Sequence, residues 1–265
     1  MHAEQREQLI LQLLQETGFV AFQELDQRMK ASPATLRRDL DRLEEAGRLV
    51  RVRGGARLPE DQEPSGGAEV PKLKGVPLHQ NLQRHLAVKQ AIGRAAADLC
   101  RPRESIIIDG GSTTLQMCRH LDALELQVLS NALPIIDALL PQANTRIAIP
   151  AGAIFREQNI VLSPFEDDGM SRYHASRMFM GAASVGRHGV MQTDVILAEV
   201  ERRLIERADE LVLLVDSSKF EAPAGHRVCA LDEVDTVITD SGISDAARAL
   251  LAGAGIKLIV AELPA

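Results

Sequence analysis

One stretch limits the fold of this chain more than any other: Ser32-Pro33-Ala34-Thr35-Leu36-Arg37-Arg38-Asp39-Leu40, closed by Arg51-Val52-Arg53-Gly54-Gly55-Ala56. Ser32 can accept a hydrogen bond from a free N–H of a first helical turn, and Pro33 suits the first helical position. Leu36, Leu40 and Leu43 recur at i, i+4 and i+7, so one face of this helix turns inward. Thr35, Arg38 and Arg42 fall off that stripe, where hydroxyl and guanidinium groups can meet bases or phosphates.

The residues before and after complete a winged helix-turn-helix. Leu9, Ile10, Leu13 and Leu14 predict an amphipathic first helix stopped at Gly18. Phe22, Leu25 and Met29 predict a second. Past Gly47, Leu49-Val50-Arg51-Val52-Arg53 and Gly54-Gly55 read as a strand and a tight return, lined by Arg48, Arg51, Arg53 and Arg57. The bland alternative is a small helical bundle with a solvated basic hairpin. The ordered set of cap, helix and wing favours a DNA reader, with Ser32, Thr35, Arg37, Arg38, Arg42, Arg51 and Arg53 as its contacts.

A net charge of −7 seems to oppose that reading, but its distribution does not. Residues 1–58 hold ten Lys+Arg and nine Asp+Glu, a balance of +1; the remainder holds 20 and 28, a balance of −8. DNA binding survives, with strong salt sensitivity expected. No apolar run approaches the roughly 18–20 residues of a membrane span. The polar Met1-His2-Ala3-Glu4-Gln5-Arg6 lacks the apolar core of a signal peptide. Cys100, Cys118 and Cys229 are odd in number and widely spaced, and the seven histidines show no metal-ligand spacing. The expectation is a cytoplasmic chain without membrane, metal or cofactor.

Three regions follow: a winged helix-turn-helix over 1–58, a linker over 59–84 rich in Pro, Gly and acids, and an α/β domain over 85–265. In the last, a helix at His85–Cys100 leads into apolar strands at Ser105–Ile108, Gln127–Leu129, Arg146–Ile149, Met178–Met180, Leu211–Val215, Val234–Ile238 and Lys257–Val260. Helices at Thr113–Leu121, Pro134–Leu140, Ile196–Ala208 and Asp245–Leu251 alternate with them, implying a largely parallel sheet covered on both faces. Ligands bind at the carboxyl ends of such strands. Three ends carry matching chemistry: Asp109-Gly110-Gly111-Ser112-Thr113-Thr114, Ser130-Asn131 and Asp216-Ser217-Ser218-Lys219. Glycines admit a close guest, hydroxyls bind an anion, and a lysine supplies mobile positive charge. Tyr173 packs or stacks on a sugar, His174 and His226 sit on expected loops, and the Glu201–Arg207 charges suggest a solvated helix face.

These residues resemble the DeoR family of bacterial transcription regulators along nearly the whole chain. The shared pattern runs Ser32-x-x-Thr35-x-Arg37-Arg38-Asp39-Leu40, Gly47, Arg51-x-x-Gly54-Gly55-Ala56, then Asp109 to Thr114, Ser130-Asn131, Gly189 with Thr193-Asp194, Asp216 to Phe220, and Thr239-Asp240. The resemblance implies a repressor of operator DNA, with a sensor domain like ribose-5-phosphate isomerase that binds a phosphorylated sugar or sugar acid. It implies that Ser112, Thr113 and Thr114 hold phosphate and that Asp109, Asn131, Asp194 and Lys219 surround the sugar, with Gly111 also in the effector site. It also implies a homo-oligomer, dimer or tetramer. Where the family commonly carries Glu, three residues after Asp194, this chain has Leu197, and the usual Gly-Gly after the third strand is Ala151-Gly152. Asn159-Ile160-Val161-Leu162-Ser163-Pro164 resembles the branch containing the L-ascorbate utilisation repressor, whose effector is L-ascorbate 6-phosphate. The competing expectations are an isomerase-like enzyme fused to a DNA-binding module, drawing on Asp109, Asp194 or Glu199, and a constitutive DNA binder whose second domain only assembles.

Overall fold

Strand β1 (Phe19–Ala21) comes before the helix that Ser32 starts, α1 (Pro33–Glu45). The Ser32 hydroxyl accepts from the Thr35 N–H at 3.2 Å, and Pro33 occupies the first turn. At the far end Gly47 takes φ +67°; its N–H reaches the Glu44 carbonyl and the Arg48 N–H reaches that of Leu43. Those bonds satisfy carbonyls that a helix end leaves open. β2 (Val50–Val52) and β3 (Gly55–Arg57) form the wing, and β1 joins β3, giving an antiparallel order β1-β3-β2. Leu36, Leu40 and Leu43 are buried with Ile10, Leu14 and Leu25, so the predicted stripe does face the core.

The computed structural model describes residues 6–7, 9–11, 13–14, 19–22, 25, 28–29, 31–52, 55–57, 78–156, 158–163, 168–220, 222 and 224–263. Arg53, Gly54 and most of the expected linker lie outside the described residues. The chain divides into two units, Met1–Pro71 and Lys72–Ala265.

The second unit begins with α2 (Leu78–Gln83), inside the span expected to be linker, and continues through α3 (Leu86–Ala97) to β4 (Ser105–Ile108) and α4 (Thr114–Met117). Then come β5 (Gln127–Leu129), α5 (Leu133–Leu139), β6 (Arg146–Ala148), β7 (Ala153–Phe155), β8 (Ile160–Leu162) and β9 (Ala175–Met180). β10 (Ser184–Gly186), β11 (Gly189–Gln192), α6 (Val195–Ile205) and β12 (Ala208–Leu214) follow. β13 (His226–Cys229), β14 (Thr236–Asp240), α7 (Asp245–Gly253) and β15 (Lys257–Ala261) complete the unit.

Seven parallel strands form one sheet in the order β15-β14-β12-β9-β4-β5-β6, matching the seven expected from sequence. Ile106 and Ile108 point into one core with Ile92, Ala96 and Met117; Ile107 points into the other with Met178, Leu213 and Leu251. Period-2 alternation between two apolar layers is why these strands read as unbroken hydrophobic runs. Near the strands' amino ends, Arg177 bridges Glu104 and Glu210, each at 2.6 Å, and donates to the Leu99 carbonyl. That ties α3, β4, β9 and β12 into one register.

β4 leads outward to β5 and β6 while its neighbour β9 leads the other way to β12, β14 and β15, so the connections part between the carboxyl ends of β4 and β9. The β7–β8 hairpin and the small antiparallel sheet β10-β11-β13 were not foreseen. Their strands span three or four residues, too few for a period to show. Gly189 makes the second possible: it takes φ +108°, and a Cβ there would lie 2.1 Å from the Cys229 carbonyl oxygen.

Candidate functional site

The turn after β4 floors a cavity of about 280 Å³ at this crevice. Asp109, Gly110, Gly111, Ser112 and Thr113 line it from β4, Gly181 to Ala183 from β9, and Val215 and Lys219 from β12. α6 adds Leu197 and Glu201; Arg84 and Lys89 come from the start of the unit. Gly110 lies so close to β8 that an added Cβ would meet Ile160 at 3.0 Å and Ala132 at 3.1 Å. The hydroxyls of Ser112 and Thr113 have no partner among the described residues. They remain available to a guest.

Cations gather on one side. Lys89 is 1% exposed, and its ammonium donates to the Asn81 carbonyl at 2.5 Å and to Asn81 Oδ1 at 3.3 Å. Burial pushes its pKa down; Asp216 resists, while Lys219 and Arg84 add repulsion. Three positive groups close enough to repel one another favour the entry of an anion. Lys219 belongs to the short turn Ser217–Lys219, which Asp240 fastens by accepting from the Ser217 N–H at 2.7 Å, the Ser217 hydroxyl at 2.9 Å and the Gly242 N–H at 2.9 Å. Burial alone would raise the Asp240 carboxyl, but these donors outweigh it and hold its pKa below the ordinary value. The Thr-Asp motif therefore has a positioning task.

Acids gather elsewhere. Asp109 and Glu201 are each 4% exposed and lie close enough for each to shift the ionisation of the other. Gln192 at the end of β11 donates to Glu201 Oε1 at 2.6 Å. As two carboxylates, Asp109 Oδ2 and Glu201 Oε2 would lack any donor among the described residues. A single proton placed between the two carboxyls would give both a partner. Burial raises Asp109 to about 7, against the pull of the Gly110 N–H and the Glu201 donor. Burial, then the charge of Asp109, holds Glu201 well above the ordinary value.

Of the residues expected around the effector, Asp109, Gly111, Ser112, Thr113 and Lys219 line this cavity; Thr114, Asn131 and Asp194 do not. The Thr114 hydroxyl is fully buried and donates to the Asp109 carbonyl at 2.8 Å and the Gly111 carbonyl at 3.0 Å, so it shapes the turn. Asp194 caps α6, accepting from the Ile196 N–H at 2.8 Å. Asn131 is buried beside Pro150, Val161 and Arg203, in a separate small cleft. The supposed solvated face also needs correction. Glu201 points inward, and Arg207 forms a two-pronged pair with Asp168 at 2.8 and 2.9 Å. Sequence reasoning missed Glu201, Lys89 and Arg84; a Glu on the stripe of Leu197, Val200 and Leu204 was the available signal. Tyr173 donates to the Gln127 carbonyl at 3.1 Å, and His174 pairs with Asp209 at 2.9 Å, both away from the cavity. No group of three or more His, Cys, Asp or Glu among the described residues can hold a metal ion.

In the first unit, α1 presents Arg37, Arg38 and Arg42 to solvent. Arg37 lies over the Phe22 ring, 5.5 Å from its centroid. Arg38 has no ion pair among the described residues, whereas Arg42 binds Glu7 at 2.7 Å and Arg51 pairs with Asp41. Arg42 and Arg51 must exchange a carboxylate for a phosphate to touch DNA. Ser32 and Thr35 hydroxyls bond each other at 2.9 Å, and Asp39 takes Arg6 at 2.7 and 3.2 Å, holding the first helical segment to α1.

A DeoR-like helix-turn-helix domain matches residues 6–62 and a DeoR C-terminal sensor domain matches residues 84–241. The HTH-type transcriptional regulator UlaR of Escherichia coli K12 is 31% identical over 255 residues, covering 96% of this chain and 98% of that protein. UlaR of Shigella boydii gives the same figures. Among solved structures, ribose 5-phosphate isomerase A of Methanocaldococcus jannaschii has a TM-score of 0.38 at 17% identity, covering 50% of this chain and 53% of that one. eIF2B delta of Chaetomium thermophilum reaches 0.42 at 15% identity, over 58% and 56%. Head and sensor together define a DNA-binding transcriptional regulator rather than an enzyme. The chain belongs to the DeoR family. No helix among its described residues is long and apolar enough to cross a membrane.

Proposed function

We propose that this regulator represses a carbohydrate or sugar-acid utilisation operon, and that a phosphorylated metabolite seated in the 280 Å³ cavity relieves repression. The observation that carries the reading is the meeting of Arg84, Lys89 and Lys219 with the unpartnered Ser112 and Thr113 hydroxyls. These groups suit a phosphate, and the carboxyls of Asp109 and Glu201 suit sugar hydroxyls. The chain works as a dimer or tetramer, setting two α1 helices in successive major grooves of a repeated operator. Arg37 and Arg38 read bases; Arg42, Arg51 and Arg53 hold phosphates. A coupling of about 1–3 kcal/mol between cavity and operator suffices for a useful response.

Thermal-shift titration of the full chain with inorganic phosphate, pentose and hexose phosphates, and L-ascorbate 6-phosphate tests the cavity. At least one sugar phosphate should stabilise the protein and release operator DNA. Lys219→Ala should keep operator binding and lose release. No stabilisation by any of these anions would end the reading.

A further inference from the structure

The cavity has two chemically unlike poles. The charges acting most on Lys89 are Asp216, Lys219 and Arg84, whereas the charge acting most on Glu201 is Asp109. The cationic pole suits a phosphate. The other pole is a pair of buried carboxyls, with Asp109 Oδ2 and Glu201 Oε2 unpartnered among the described residues and Gln192 donating to Glu201 Oε1. Glu201 stands one helical turn beyond Leu197 on α6, and both line the cavity.

We infer that the Asp109–Glu201 pair sets ligand specificity: it admits phosphate esters whose far end bears neutral hydroxyls and rejects those ending in a carboxylate or ionised ring. The inference rests on the effector-site reading above. A hydroxyl both donates and accepts, so it can take the place of the direct contact between the carboxyls, donating to an ionised Asp109 and accepting from a protonated Glu201. A carboxylate offers no donor and brings a second negative charge against the first, in a place from which water is largely excluded. Repulsion of the wrong guest is an effective source of discrimination. By this argument the effector is a sugar or polyol phosphate, and L-ascorbate 6-phosphate, with its ionised ring, falls in the rejected class.

Matched pairs that differ only at the far carbon test this by calorimetric titration of the full chain: ribitol 5-phosphate against ribonate 5-phosphate, arabitol 5-phosphate against arabinonate 5-phosphate, and glucitol 6-phosphate against gluconate 6-phosphate. In at least one pair the polyol should bind more tightly than inorganic phosphate and about tenfold or more tighter than its acid twin. In the Asp109→Asn, Glu201→Gln double variant, which keeps shape and removes the charge, that gap should close to within about threefold. The wild-type comparison stands alone should the variant not fold. Acid twins that equal or beat their polyols, polyols no better than phosphate, or tight binding of L-ascorbate 6-phosphate would each overturn the inference. If neither inorganic phosphate nor any ester binds, the effector site itself is refuted; if esters bind without the gap, only the specificity fails.

Discussion

The neighbouring threonines Thr113 and Thr114 show why residue type alone does not assign a role. Both stand in the same hydroxyl-rich turn, yet only Thr113 lines the cavity while Thr114 holds two backbone carbonyls. Thr114→Val should therefore cost roughly 1–3 kcal/mol of stability through the lost bonds. Thr113→Ala should leave the urea midpoint nearly unchanged and weaken sugar-phosphate binding; the reverse pattern would reject both assignments. The acid pair gives a second residue-scale prediction. In the unfolded chain both carboxyls ionise near about 4, whereas folding holds Asp109 up to about 7 and Glu201 well above the ordinary value. The folded state binds more protons above about pH 4, so this pair's contribution to stability falls as pH rises from there and goes on falling past about 7 while Glu201 keeps its proton. The Asp109→Asn, Glu201→Gln double variant should lose that fall and gain most on wild type at neutral pH and above. Identical urea-midpoint profiles against pH would argue against the shared proton.

At the scale of elements, the seven sheet strands were legible because each buried strand is a short apolar run between helical patterns. The antiparallel β10-β11-β13 sheet was not, because tertiary pairing rather than local period creates such short strands. α2 escaped notice for a related reason: Leu78–Gln83 is too short to show a stripe. A helix–helix contact supplies the prediction here. Alanine normally improves a helix interior by about 1 kcal/mol over glycine. At Gly93 on α3, however, an added Cβ would sit 2.7 Å from the backbone of Gln116 and Met117. Overpacking of this kind costs about 1–3 kcal/mol. Gly93→Ala should thus lower the urea midpoint despite its better propensity, and a rise would show that α3 and α4 can separate cheaply.

For the whole molecule, the head was the more legible part, since cap, stripe and wing are local signals. The site was half legible: the β4 and β12 turns announced themselves, but Lys89 and Glu201 come from helices, and Arg84 from the turn between α2 and α3, that only the fold brings to the cavity. Charge is also a whole-molecule property. Residues 1–58 carry +1 and the remainder −8, so the proposed operator contact by the head's arginines is made by a chain of net negative charge. Arg38→Ala should weaken operator binding by roughly ten- to a hundredfold at fixed salt, as loss of a bidentate base contact implies. Effector-induced thermal stabilisation should survive, because the two units are separately compact. Full operator affinity in that variant, measured by fluorescence anisotropy, would remove Arg38 from the interface.

The cavity draws its wall from the ends of different strands and from α6, while the sheet beneath contributes none of its interior. Positions 197 and 201 stand about 6 Å apart along the helix axis, and both face the cavity. A single substitution on that wall can therefore alter which guest is preferred while the sheet that carries it stays as it is.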